Sequence, residues 1–476
     1  MESTNMPATE NQVATKASLW QELKNALRGT EADYTQINIR RAIFLLAVPM
    51  ILELVMESTF ALVDIYFVGK LGSWAVSTVG LTESFLYLLY AVGIGLAMAV
   101  TAIIARRVGE NNAKEAGKSA IQAIFLAVIV SIPFSIAGIF YSKELLGLMG
   151  AEPESIARGH GYLQWMLGSN VVIVLLFVIN AIFRGAGDAA IAMRVLLISN
   201  VINIILDPIL ILGWGPIPAL GIEGAAIATV VGRGIGVLVQ LWSLFKAGKH
   251  IKPTRSDISW DRKIVVNIVR TSLGGVGQII VGMASWLFLV RILSNIGEQA
   301  VAGATVAVRI MFFCIMPAQG FSNATAALVG QNLGAGRPDR AESAVWICGL
   351  YNMIYLLGVS AMFFLYHDQL IALFNNETAV IAVGGDWLQI LSYSFFVYGW
   401  WMVSSQAFNG AGDTRTPTYI NLVFFWLIQI PLSWFLAIQL DWGYKGVFWG
   451  VFISETSVGL FTLWLFTRGK WKTAKV

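Results

Sequence analysis

The chain has 476 residues, of which 57% are hydrophobic and 13% charged, and its formal net charge is +4. Soluble domains carry about 25% charged residues. With a mean hydropathy of +0.70, this sequence lacks the polar residues needed to cover a water-soluble fold of its length. An all-α integral membrane protein remains. Its apolar runs are mostly long enough, at about 20 residues, to cross a ~30 Å hydrocarbon core as helices, and they lack the period-2 alternation of a barrel.

Residues 1–41 are polar and close on Arg40 and Arg41. A secretory signal would be apolar near its start, so this is expected to be a cytoplasmic N-terminal segment. Twelve spans follow, beginning near Ala42, Val76, Ser119, Gly161, Arg194, Glu223, Ile264, Ala300, Ala344, Gly384, Thr418 and Gly446. They divide into a first bundle over 42–245, a basic linker over 246–263, a second bundle over 264–467 and a tail over 468–476. Cys314 and Cys348 both lie in apolar runs, which implies no disulfide framework.

The loops separate by charge. With the N-terminus placed inside, the inside segments hold 24 of the 32 Lys and Arg residues, against five outside (Lys70, Lys143, Arg158, Arg291 and Lys445). The positive-inside rule then predicts both termini in the cytoplasm, in agreement with an even number of spans. These basic residues report topology and call for no nucleic-acid partner.

The sequence repeats. FRGAGD at 183–188 returns as FNGAGD at 408–413, 225 positions later, and RRVGENNAKEA at 106–116 aligns with QNLGAGRPDRA at 331–341 at the same offset. Six spans lie between copies, so the halves are parallel. Two six-helix bundles related by a pseudo-two-fold along the membrane normal are predicted, with a substrate site between them. Alternating access gives two equivalent halves a use. In each GAGD, glycine is expected to end a helix at positive φ and aspartate to cap the next. No strand precedes either copy, so neither is a phosphate loop.

Acids inside the spans carry the chemistry. Each ionised group at mid-membrane costs about 2.5–3.5 kcal/mol on insertion scales and faces protein or a wet cavity. Glu53, Glu57 and Asp64 fall at i, i+4 and i+11 of the first span and share a face with Phe60 between them. On the fifth span, Asn203 and Asp207 are i,i+4, with Pro208 next. The equivalent stretch of the second half, NLVFFWLIQIPLSWFL at 421–436, has no acid. An ion site is needed once, whereas an architectural pair would serve both halves. Two carboxylates with an amide form an oxygen cage for a hard cation such as Na⁺. Two close carboxylates can instead share a proton. Glu83 and Glu455 are further intramembrane acids, and Arg309 an intramembrane base for which Glu455 is a candidate partner.

These residues resemble those of the multidrug and toxic compound extrusion (MATE) transporters. The resemblance covers about 40–465 and rests on AVPMI at 47–51, LVDIYFVGKLG at 62–72, the RRVGENN and VGQNLGAG loops, the two GAGD copies and NIILDP at 203–208. It implies antiport, with Na⁺ or H⁺ entering and amphiphilic, usually cationic compounds leaving. It also implies a cation site in the first bundle, onto which Asp64, Asn203, Asp207 and Thr229 map, with Asn180 a nearby candidate. Where one branch of the family has a glutamate on the seventh span, this chain has Gln278. Glu53 and Glu57 stand where the family pattern has neutral residues, and are expected to add proton acceptors or to attract a cationic substrate. The cavity candidates are Phe60, Tyr87, Gln278, Met283, Trp286, Met311, Tyr398 and Trp401, since aromatic faces attract cations and methionine adapts to varied shapes. No cofactor beyond the coupling ion is expected, and the chain is expected to act as a monomer among membrane lipids. A flippase of a lipid-linked saccharide, on a related fold, would need a cluster of intramembrane bases; Arg233, Arg270 and Arg309 form no such cluster in sequence. His160, His250 and His367 have no catalytic or metal-ligand spacing, which argues against an enzyme.

Overall fold

A computed structural model describes residues 19–29, 32–246, 251 and 253–474. His250 and four of the 24 inside basic residues, Lys16, Lys249, Lys252 and Lys475, lie outside the described residues. Helices run in order as α1 (Leu19–Arg28), α2 (Ile39–Gly69), α3 (Ser73–Gly109), α4 (Ala113–Leu148), α5 (Pro153–Gly168), α6 (Val171–Ala186), α7 (Ala189–Leu212), α8 (Ile222–Lys246), α9 (Arg262–Ile296), α10 (Glu298–Gly334), α11 (Pro338–Ala372), α12 (Thr378–Ser392), α13 (Phe395–Ala411), α14 (Arg415–Asn421), α15 (Ile430–Trp434) and α16 (Gly443–Thr467). Helices α14 and α15 belong to one span, Arg415–Gln439, with π-helical turns over Leu422–Gln429 and Phe435–Gln439. Among the described residues eleven segments are long and apolar enough to cross a membrane singly, and the α12–α13 pair, bent by 64°, makes a twelfth.

Most helices begin several residues before the apolar runs do, because polar caps at the water boundary extend them. Asn38 accepts from the Arg40 amide to cap α2, and Asn112 from Glu115 to cap α4. Exposed apolar side chains stripe α4 (Ile132, Ile136, Ile139) and α11 (Ile354, Leu357). Such faces suit lipid, not water.

The repeat is visible in backbone detail. Tyr141 in α4 and Tyr366 in α11, 225 apart, both break their helices at φ −126° and ψ 21°. Asn111 and Gly336, equivalent in the two basic loops, both take positive φ, at 55° and 69°. In the GAGD copies, Gly187 and Gly412 end α6 and α13 at φ 91° and 92°, as expected. Asp413 accepts from Thr416 N at 3.2 Å, whereas Asp188 makes no cap bond to α7.

Hydrophobicity does not draw helices together in lipid, so close packing rests on small residues. Equivalent glycines bring the halves together. A Cβ on Gly95 of α3 would lie 2.4 Å from Val276 N of α9; the symmetric Gly320 of α10 abuts Ile51 of α2, with the Cβ 2.5 Å from its Cγ1. Gly109 meets Gln331 O at 2.0 Å in the same sense, and Gly334 meets Arg106 O at 2.2 Å. All four crossings lie in the half of the bundle nearer the termini. That end is further tied by Arg337, which donates to Thr35 O (2.7 Å), and by Arg106, which donates to Ala474 O (2.9 Å). The buried core around the start of α2 (Ile43, Leu46, Met50) is completed by Leu328, Val345 and Phe408 of the second half. The closing contacts of the two halves are thus on the terminal side.

Candidate functional site

Four helices of the first half each present two polar side chains one turn apart: Glu53 and Glu57 on α2, Asn180 and Arg184 on α6, Asn203 and Asp207 on α7, Thr229 and Arg233 on α8. Spacing i,i+4 puts each pair on one face. The helices pack so that these faces meet, and the groups sort into ion pairs and a second cluster that holds no ion pair, with Arg233 within electrostatic reach of Asp64.

Glu53 is buried. Its Oε1 accepts from Arg184 Nη1 at 2.9 Å and from Asn180 Nδ2 at 3.0 Å. The Asn180 Oδ1 accepts in turn from Gln240 Nε2. Glu57 pairs with Arg233 at 2.8 Å, and the Arg233 guanidinium also lies over the Phe60 ring, 5.4 Å from its centroid. The shared face of α2 is therefore not one wet stripe. Glu53 and Glu57 are neutralised within the bundle, and Phe60 is buried beneath a guanidinium. Asn180 belongs to the Glu53 group, since it donates to Glu53 and accepts from Gln240. Sequence reasoning missed Arg184 and Arg233 as partners; their i+4 relation to Asn180 and Thr229 was the available signal.

The second cluster joins α2, α7 and α8. Asn203 Nδ2 donates to Asp207 Oδ1 at 3.3 Å and to Thr229 Oγ1 at 3.2 Å. Asp207 lies within electrostatic reach of Asp64, and Asn200 fixes α7 to α2 by donating to Met56 O at 3.0 Å. Three oxygens here are buried and accept no hydrogen bond: Asp64 Oδ1, Asn203 Oδ1 and Asp207 Oδ2. An unmade hydrogen bond at a buried acceptor is costly, and more so for a carboxylate. The donor set, all oxygen with two carboxylates, fits a small hard cation or a proton. Among the described residues no group of three His, Cys, Asp or Glu is arranged to hold a metal ion.

The MatE family profile matches residues 49–209 and 276–435, one copy in each half. The chain belongs to the MatE family. It is 26% identical over 440 residues to the "Probable multidrug resistance protein NorM" of Thermotoga maritima, covering 92% of this chain and 94% of that one. It is 25% identical over 432 residues to a "FAD transporter" of Shewanella oneidensis, covering 90% and 95%. A crystallised multidrug resistance MATE family transporter of the MOP superfamily, in an outward-facing conformation, superposes with a TM-score of 0.86 at 25% identity, covering 94% of this chain and 99% of that chain. This MatE protein is a multi-pass membrane transporter, not an enzyme.

The second half of this MatE chain differs from the first. Gln278 is held in an amide network, donating to Asn409 Oδ1 and to Thr414 O, each at 2.9 Å, while Asn409 Nδ2 donates back at 3.3 Å. It ties α9 to α13 and the α13–α14 loop. Trp286 packs edge-on against the buried Trp387. Met283, Met311, Tyr398 and Trp401 are half-buried and Tyr87 is exposed. Arg309 makes no ion pair with Glu455; it lies within electrostatic reach of Glu83, across from α3.

Proposed function

We propose that this transporter exports amphiphilic, cationic compounds across the cytoplasmic membrane, with both termini inside, in exchange for Na⁺ or H⁺ bound at Asp64, Asn203, Asp207 and Thr229. The observation that carries this reading is the trio of buried, unsatisfied oxygens in that cluster, beside acids whose charges are already met by arginine. An entering cation or proton satisfies those oxygens and neutralises the two carboxylates, which changes how α2, α7 and α8 pack. Substrate favours the alternative arrangement. Coupling of this kind is reciprocal, so substrate lowers ion affinity by the same factor as the ion lowers substrate affinity.

The halves are in contact at the terminal end, which this reading takes as the cytoplasmic side. The relatives' names support multidrug export. An anionic cargo, as the name of the Shewanella protein suggests for that protein, or a lipid-linked saccharide, would call for unpaired basic groups, whereas Arg184 and Arg233 are committed to Glu53 and Glu57.

The test is counter-transport in proteoliposomes, with Na⁺ and pH gradients imposed separately and ethidium as cargo. One of the two gradients is expected to drive ethidium movement, and Asp64→Asn to reduce that driven component at least tenfold. Ethidium flux that responds to neither gradient contradicts the antiport reading.

A further inference from the structure

We infer that the second half holds a site for the charged centre of an organic cation, formed by Glu455 on α16 with Tyr398 and Trp401 on α13. The inference rests on the export reading above and assigns its substrate a counter-charge outside the Asp64 cluster.

Helix α16 packs on α13 through Gly459, where a Cβ would lie 2.4 Å from Val397 Cγ1 and 3.5 Å from Trp401 Cβ. Glu455 is one turn earlier on the same face. It lies within electrostatic reach of Tyr398, and its Oε2 is buried with no hydrogen-bond partner. Trp401 Nε1 and Thr456 Oγ1 nearby are also buried and unsatisfied. Glu53 and Glu57 of α2 have arginine partners; Glu455, among the described residues, has none.

Tyr398, within electrostatic reach of this carboxylate, belongs to a run of aromatic rings. Centroids of Phe395 and Tyr398 are 6.0 Å apart, of Tyr398 and Trp401 4.9 Å, and of Trp401 and Phe425 6.1 Å. Phe425 lies on the π-helical turns that precede Pro431, a residue that cannot donate to the helix. Ser454, beside Glu455, donates to Phe424 O at 2.7 Å and locks α16 to those turns. A carboxylate without a cation, beside such a run of rings, favours a bulky, weakly hydrated cation that offers no hydrogen-bond donor. A quaternary ammonium or a phosphonium has that chemistry.

The experiment is equilibrium binding of tetraphenylphosphonium to the full chain in nanodiscs without an ion gradient, with uncharged triphenylphosphine oxide as the comparison. Glu455→Gln is expected to weaken phosphonium binding at least tenfold and leave the phosphine oxide unchanged. Glu455→Asp should stay within about threefold of wild type, and Trp401→Leu, which keeps the acid, should weaken the phosphonium at least fivefold. Equal loss of both ligands on Glu455→Gln makes the residue structural and overturns the site. So does unchanged phosphonium binding, which leaves export of cations standing if the wild type binds and moves the phosphonium. A wild type that binds no phosphonium overturns the site and the cationic-substrate reading together.

Discussion

Within one helix, two kinds of acid are separated by 7 to 11 positions. Glu53 is buried and Asp64 half-buried on α2, but Glu53 accepts from a guanidinium 2.9 Å away while the buried Oδ1 of Asp64 accepts nothing. Removing one partner of a buried ion pair costs about 3–5 kcal/mol, because the other charge stays behind. Asp64 makes no ion pair, with Arg233 only within electrostatic reach, so removing its carboxylate leaves no closely paired charge behind. Glu53→Gln is therefore expected to lower the midpoint of thermal unfolding clearly, with the double replacement Glu53→Met, Arg184→Met restoring most of it. Asp64→Asn is expected to leave the midpoint unchanged or raise it. The same melting curves check both; a larger loss for Asp64→Asn than for Glu53→Gln contradicts the division. The spacing within α2 was legible in the sequence. The division was not, since it depends on how α6 and α8, more than 120 residues away in sequence, are rotated against α2.

Helices and their junctions were legible where local chemistry decides them. Gly187 and Gly412 stop their helices because the backbone there turns left-handed, which glycine adopts without strain. Asn111 and Gly336 do the same in loops whose sequences otherwise differ, and asparagine is among the few other residues that tolerate it. What composition could not reveal is which glycines serve crossings between helices. Gly95 and Gly320 lie in unbroken helices, where glycine costs about 1 kcal/mol against alanine, and the compensating close approach comes from the other half. A leucine at Gly320 would overlap Ile51 and push α10 from α2. Spin labels at positions 112 and 337, in a background lacking Cys314 and Cys348, should then show a longer-distance population at the terminal end. An unchanged distance distribution in Gly320→Leu would mean that this crossing does not hold the halves together.

At the scale of the molecule, the pseudo-two-fold governs structure and is broken for function. Kinks, loop conformations and glycine crossings recur at an offset of 225, as the repeated motifs predict. The polar cluster does not recur: Asn203 and Asp207 have no acidic counterpart in the second half, where Gln278 and Asn409 form a neutral amide network. Fold and repeat were thus readable from sequence, while the contacts of Asn180, Phe60 and Gln278 were not, because their partners come from other helices. The most direct measurement is ion-driven ethidium flux in proteoliposomes, comparing Asp207→Asn with the double replacement Glu53→Met, Arg184→Met. The account predicts at least a tenfold loss of the driven component for Asp207→Asn and near-normal coupling for the double replacement. Intact coupling in Asp207→Asn, with coupling lost in the double replacement, would place the ion at the arginine-paired acid and contradict the account.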